Sequence, residues 1–237
     1  QVDIKTYILK LKFMKVLLIA PYINLCYEKS TELANREDFY PSAALLHLAA
    51  MLRANNYEPT IVDLNNAVVH NHVVHNQKEK YLDYCKKIII DSLNEHKPDL
   101  VGINCLFSGV FPDVLEFAKT LKSHSPHLKI AIGGIHPTSY PREILTNCDD
   151  IDYVAIGEGE NTIVSLANSI KTKNENLLSS IKSFAYRDKD GEVRINRKTN
   201  YVDDLNTLPM QAWDLINMKE HEIKMDHFYN PQKLPLK

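Results

Sequence analysis

Long apolar runs are missing from this sequence. No stretch approaches the roughly 18 residues a membrane span requires, so no membrane partner is expected. Blocks of basic residues are missing too. The 28 Lys and Arg are balanced by 30 Asp and Glu, a net charge of −2, and nucleic acid is a poor candidate partner. The four cysteines, Cys26, Cys85, Cys105 and Cys148, are scattered and form no C-x-x-C pair. A disulfide framework is therefore not expected, and reduced thiols point to a cytoplasmic setting. Gln1 to Phe13 carries lysines but neither a long apolar stretch nor a small-residue cleavage site, so it does not read as a secretion signal. Met14-Lys15-Val16 reads as a natural start, with residues 1–13 as a tail. Glycine is scarce as well, at seven in 237 residues, yet four of the seven fall in Gly133-Gly134 and Gly157-Glu158-Gly159.

What is present is an alternation of apolar strands and amphipathic helices. Strands are predicted at Lys15 to Ala20, Tyr57 to Leu64, Leu100 to Asn104, Lys129 to Ile132 and Tyr153 to Ile156. Helices are predicted from Pro41 through Leu52, with Pro41 in the first turn, and over Gln77 to His96, Pro112 to Ser123 and Glu160 to Ile170. Such alternation implies a parallel sheet with right-handed crossovers. Five units predict a flavodoxin-like (Rossmann-like), doubly wound α/β fold of order 2-1-3-4-5 over residues 14–171. Beyond it, Asp190-Gly191 between two short apolar runs predicts a β-hairpin, and residues 172–237 read as hairpin and linker. Both glycine pairs then lie at carboxyl ends of strands, where open α/β sheets bind ligands and where a missing Cβ lets backbone approach them.

The common nucleotide motifs fail at that edge. The first strand-to-helix loop, Pro21-Tyr22-Ile23-Asn24-Leu25-Cys26, has no glycine, so the dinucleotide fingerprint is missing where it belongs. Gly157-Glu158-Gly159 carries Thr162 in place of a third glycine and puts two carboxylates where a pyrophosphate would sit. There is no G-x-x-x-x-G-K-[ST], and Asn104 stands where a phosphoacceptor domain needs an acid.

Gly102-Ile103-Asn104-Cys105-Leu106, Gly133-Gly134-Ile135-His136-Pro137-Thr138 and Gly157-Glu158-Gly159-Glu160, in this order, resemble the cobalamin-binding domain of cobalamin-dependent radical S-adenosylmethionine enzymes. The likeness runs from Met14 to about Trp213. It takes in the Pro41 to Leu52 helix, Val62-Asp63, the Phe184 to Val193 hairpin, and Leu208-Pro209 through Asp214. The resemblance implies cobalamin as cofactor, with the nucleotide tail threaded between the sheet and its helices. It implies binding residues at Pro21, Tyr22, Asn104, Cys105, Leu106, Ser108, Gly133, Gly134, His136, Gly157, Glu158, Gly159 and Glu160. Gly133 and Gly134 would open the slot, and Asn104, where the family often has serine, could hydrogen-bond the tail or a corrin amide. Glu158 and Glu160 could accept from ring amides or from the tail, and Tyr22 could face the lower side of the ring. The first loop lacks the histidine that related carriers place under cobalt. His136 is the one histidine at the ligand edge, either beneath the ring or in a backbone-bonded loop. A tight strand-to-helix turn and close helix–sheet packing are the alternative readings of the two glycine pairs.

Radical S-adenosylmethionine chemistry needs three thiolates, usually C-x-x-x-C-x-x-C, for a 4Fe-4S cluster, and this sequence has no such triplet. The expectation is a cofactor-binding part of a methyltransferase that catalyses nothing by itself, as a fragment or a truncated product. Its partner would be a radical S-adenosylmethionine domain in cis or in trans. A stand-alone corrinoid carrier or sensor and a flavodoxin-like nucleotide-binding enzyme domain are the alternatives. The His70-Asn71-His72-Val73-Val74-His75 cluster reads as a solvated loop, Ser108 has no nucleophile partners, and Trp213 reads as a linker anchor.

Overall fold

The computed structural model describes residues 13–22, 41–69, 71, 78–197 and 202–219. The histidine cluster, apart from Asn71, and most of the first loop lie outside them. Among the described residues, one sheet of seven strands organises the fold, in the order β2-β1-β3-β4-β5-β6-β7. The first five strands, β1 (Lys15–Ala20), β2 (Glu58–Asp63), β3 (Leu100–Asn104), β4 (Lys129–Gly133) and β5 (Tyr153–Ala155), are mutually parallel. Their order is the expected one. The correction concerns the hairpin β6 (Phe184–Arg187) and β7 (Val193–Asn196), which continues the same sheet, β6 pairing antiparallel with β5.

Among the described residues seven helices connect the strands: α1 (Ala43–Ala54), α2 (Leu64–Val69), α3 (Lys78–His96), α4 (Phe111–His124), α5 (Ile135–Ser139), α6 (Pro141–Asn147) and α7 (Glu160–Thr172). Helices on both faces bury both sides of the parallel strands, which is why those strands are continuously apolar rather than alternating. Leu17, Ile19, Val101, Ile103, Ile130 and Ile132 face a core shared with α3 and α4, while Val16, Leu18, Leu100, Ala131 and Tyr153 face α1 and α7. Among the described residues no helix is long and apolar enough to cross a membrane.

Two local details differ from expectation. Pro41 lies outside α1, because Ser42 takes the cap and its Oγ accepts from the Leu45 N–H at 3.4 Å. The hairpin turn is not a two-residue Asp-Gly turn. Asp188 bonds the backbone N–H groups of Asp190 and Glu192, each at 3.0 Å, and its carboxylate is ion-paired with Arg194 at 2.6 Å. Gly191, at φ +83°, supplies the left-handed step that closes the longer loop.

Arg187 fastens the hairpin to α6. Its guanidinium donates to the carbonyls of Leu145 (2.9 Å), Ile151 (2.9 Å) and Cys148 (2.6 Å), so one planar fork satisfies carbonyls at and beyond the end of that helix. Arg187→Met keeps the stem and removes all three bonds. The expected loss is about 2–3 kcal/mol, read from the urea midpoint at unchanged slope. A midpoint equal to that of the parent would mean that water replaces the guanidinium at no cost.

Candidate functional site

A groove opens between the sheet and the helix pair α1 and α7, with a cavity of about 170 Å³. Its floor follows from strand register. Leu18, Gly102, Ala131 and Tyr153 are paired in one row across β1, β3, β4 and β5, and side chains two residues on share the same face. Gly102, Ala131, Gly133 and Ala155 therefore form a lane of small residues, with Leu45 and Leu48 of α1 and Ile163 and Leu166 of α7 as walls. Larger residues along the lane would fill the space that the helices leave.

The four glycines at the strand ends do different things. A Cβ on Gly133 would meet only the Ala155 Cβ, at 3.5 Å, an ordinary contact, so this glycine leaves room. Gly134 has φ +121°, and a Cβ there would stand 2.5 Å from the Cys105 carbonyl oxygen. Gly134 is thus a close-approach glycine between two backbones, not one that widens the slot. A Cβ on Gly159 would press Leu48 at 3.2 Å, and Gly157, at φ +72°, makes the turn into α7. Thr138 joins the two glycine loops. Its hydroxyl donates to the Gly134 carbonyl at 2.7 Å and accepts from the Gly157 N–H at 2.8 Å. Sequence reasoning quoted Thr138 in a motif and gave it no role.

Of the thirteen residues singled out from the sequence, seven line this groove: Asn104, Gly133, Gly134, Gly157, Glu158, Gly159 and Glu160. The two carboxylates are not equivalent. Glu158 accepts from the Val202 N–H at 3.0 Å, at the start of the segment that later straps α1. That strap is held by the Ala212 N–H on the Leu46 carbonyl (3.2 Å) and by a two-pronged Arg53–Asp214 ion pair. The second carboxylate, on Glu160, has its Oε2 sealed from solvent with no hydrogen-bond partner among the described residues. Among the described residues no Lys or Arg lines the groove, which disfavours a pyrophosphate.

The other six lie outside the groove lining. Tyr22, following Pro21, is buried on the opposite face, its ring edge-on to Tyr81 at 5.5 Å. Cys105 belongs to that same core, and burial pushes its thiol up to about 12. Leu106 is half-buried beyond the end of β3. Ser108 and His136 form a pair, Oγ to Nδ1 at 2.9 Å, with the imidazole tilted over Phe111 at 4.3 Å between ring centres. His136 is thus held by a hydroxyl and an aromatic ring, on a short helix rather than a backbone-bonded loop. Among the described residues no group of three His, Cys, Asp or Glu could hold a metal ion.

Burial holds the His136 imidazole below its ordinary pKa. An unfolded histidine takes up its proton near pH 6.5, while folded His136 does so only at lower pH. Between those two values the unfolded chain binds more protons, so this residue's contribution to stability is lost as pH falls below about 6.5 and levels off beneath the folded pKa. A proton NMR titration of the His136 ring should give a midpoint below 6.5; a midpoint at or above it would contradict the packing described.

The groove is narrow and lined mainly by small and apolar side chains. Small residues make room under the helices. Known proteins agree. The B12 binding domain model matches residues 31–167, more than half of the chain. The chain is 27% identical to cytidylyl-2-hydroxyethylphosphonate methyltransferase of Streptomyces wedmorensis, over 90% of this chain and 42% of that protein. It is 25% identical to an uncharacterized methyltransferase of Pyrococcus horikoshii, over 90% and 41%. The chain thus spans about two-fifths of the length of these curated relatives. Among solved structures, the cobalamin-dependent S-adenosylmethionine radical enzyme OxsB, with aqua-cobalamin and S-adenosylmethionine bound, shares the fold at a TM-score of 0.67 and 18% identity, covering 90% of this chain and 25% of that one. With the sheet order, the small-residue lane and the family match in agreement, this chain belongs to the B12-binding domain family.

Proposed function

We propose that the chain is the cofactor-holding part of a radical S-adenosylmethionine methyltransferase, taking the nucleotide tail of cobalamin into the groove beneath α1 and α7. The observation that carries this reading is the lane of Gly102, Ala131, Gly133 and Ala155 in a chain of this family. Residues at the carboxyl edge of β3, β4 and β5 would hold the corrin ring, with the Asn104 side-chain amide available to the ring's own amides. The walls of α1 and α7 exclude water from the tail, and Thr138 keeps the two glycine loops at a fixed spacing.

Bound cobalamin supplies a methyl carrier. The residues of this chain hold and orient it; thiolates for an iron–sulfur cluster must come from residues outside this sequence, in the same polypeptide or another, because no C-x-x-x-C-x-x-C is present. Methyl transfer is favoured over other reactions because both curated relatives reported above are methyltransferases. The test is reconstitution with hydroxocobalamin under reducing conditions, then desalting and a visible spectrum. A corrin band retained at about one per chain is the expected result. Colourless protein after excess corrinoid overturns the reading.

A further inference from the structure

The sheet forks at its carboxyl edge. Between β4 and β5 the register pairs Ala131 with Tyr153 and Ile132 with Val154, and stops there. Beyond that point each strand goes with its other neighbour. Gly133 still pairs with Asn104 of β3, and its carbonyl accepts from the Cys105 N–H at 2.7 Å. Ala155 pairs with Phe184 of β6, and the Ile156 N–H donates to the Ser183 carbonyl at 2.8 Å. Gly133 and Ala155, two members of the small-residue lane, face each other where the fork begins.

Thr138 spans the open end of this fork. Hydroxyls that donate to the carbonyl four residues back are ordinary in helices, and Thr120, Ser139, Ser165 and Thr172 all do so here. Among the described residues of this kind, Thr138 alone also accepts from a distant backbone group, the Gly157 N–H at 2.8 Å. A hydroxyl can donate and accept at once, and this one uses both capacities. The Gly134 carbonyl that takes its proton also accepts from the Thr138 N–H at 3.1 Å. Thr138 is therefore fixed twice to the loop after β4 while it holds the loop after β5. Both loops line the groove, the first with Gly134 and the second with Gly157, Glu158 and Gly159.

We infer that Thr138 is a positioning residue for the cofactor: its hydroxyl keeps the two arms of the fork at the spacing the nucleotide tail requires, before the tail arrives. This rests on the proposed function and deepens it. Without the hydroxyl, water can take both of its partners, because Gly157 is exposed and Thr138 half-buried. The fold then loses little. What goes is preorganisation: untied loops spread over several spacings, and binding has to gather them first. A purely structural residue would lower stability and leave affinity alone; this one does the reverse.

The experiment measures hydroxocobalamin dissociation constants for the parent chain, Thr138→Val and Thr138→Ser. Thermal melts and hydrogen exchange at the Gly157 amide are recorded without cofactor. Valine keeps the branched shape and removes the hydroxyl, whereas serine keeps the hydroxyl and removes the methyl. Thr138→Val should weaken cobalamin by about 10-fold or more, with a melting temperature no more than about 4 °C below the parent. Its Gly157 amide should exchange at least about 10-fold faster. Thr138→Ser should stay within about 3-fold of the parent in affinity. Valine binding as tightly as the parent overturns the assignment, and so do equal losses in both variants, which would trace the effect to the methyl. Unchanged Gly157 exchange would mean that the bridge does not form, and a valine variant melting far below the parent would make the residue structural; each refutes the inference. A parent that binds no corrinoid at all removes the proposed function itself, a result distinct from every variant outcome.

Discussion

Gly133→Leu should give a protein that folds at least as well as the parent and no longer retains cobalamin. The new Cβ meets only Ala155, at 3.5 Å, so nothing in the backbone has to move. The remaining three carbons enter a cavity of about 170 Å³ whose walls are leucine and isoleucine. Filling an apolar cavity and replacing a strand glycine both favour the ligand-free fold, by about 0.5–2 kcal/mol. The same atoms occupy the path of the cofactor tail, and a loss of at least about 100-fold in cobalamin affinity is expected. Two measurements should therefore move in opposite directions: the melting temperature without cofactor rises or holds, and corrin retention after desalting disappears. Unchanged retention would place the tail elsewhere.

Gly134→Ala, one residue away and chemically milder, should do the reverse of what its size suggests. At φ +121° a side chain is strained whatever the space, and here the space is filled by the Cys105 carbonyl oxygen at 2.5 Å. Cys105 cannot retreat cheaply, because its N–H is bonded to the Gly133 carbonyl at 2.7 Å, which extends the β3–β4 ladder by one rung. The expected destabilisation is about 3–4 kcal/mol, a large part of the stability of an ordinary domain. Chemical denaturation without cofactor reads it directly. If Gly134→Ala unfolds at the parent's midpoint, the close approach described here is wrong. The adjacent pair thus separates a glycine that makes room for a ligand from one that makes room for the protein's own backbone.

The parallel part of the fold was legible because its signals are local. An apolar run such as Leu100 to Asn104 is buried on both faces and cannot be an amphipathic surface element, and the glycines fall where those runs end. The floor of the groove was less legible. Ala131 and Ala155 look like ordinary core filler in the chain, and only the register that sets Gly102 beside Ala131 turns them into a lane. The pairing of β6 with β5 was hidden for the same reason, since short strands do not announce their neighbours. Tyr22 was placed by its nearness to the ligand edge in sequence, but its ring enters the core against Tyr81. Glu158 and Glu160 read as equivalent carboxylates. What separates them is a hydrogen bond from Val202, 44 residues from Glu158, which no spacing rule could supply.

The hairpin has a practical consequence for anyone who wishes to transplant this module. The fifth strand is only three residues long, and its second flank is covered by Phe184, Ala185 and Tyr186. A chimera trimmed after α7 would bare that flank as a row of unsatisfied amides and carbonyls, an invitation to intermolecular zippering. The exportable unit therefore runs through Asn196, and grafts cut at the helix should precipitate where the longer ones stay clear.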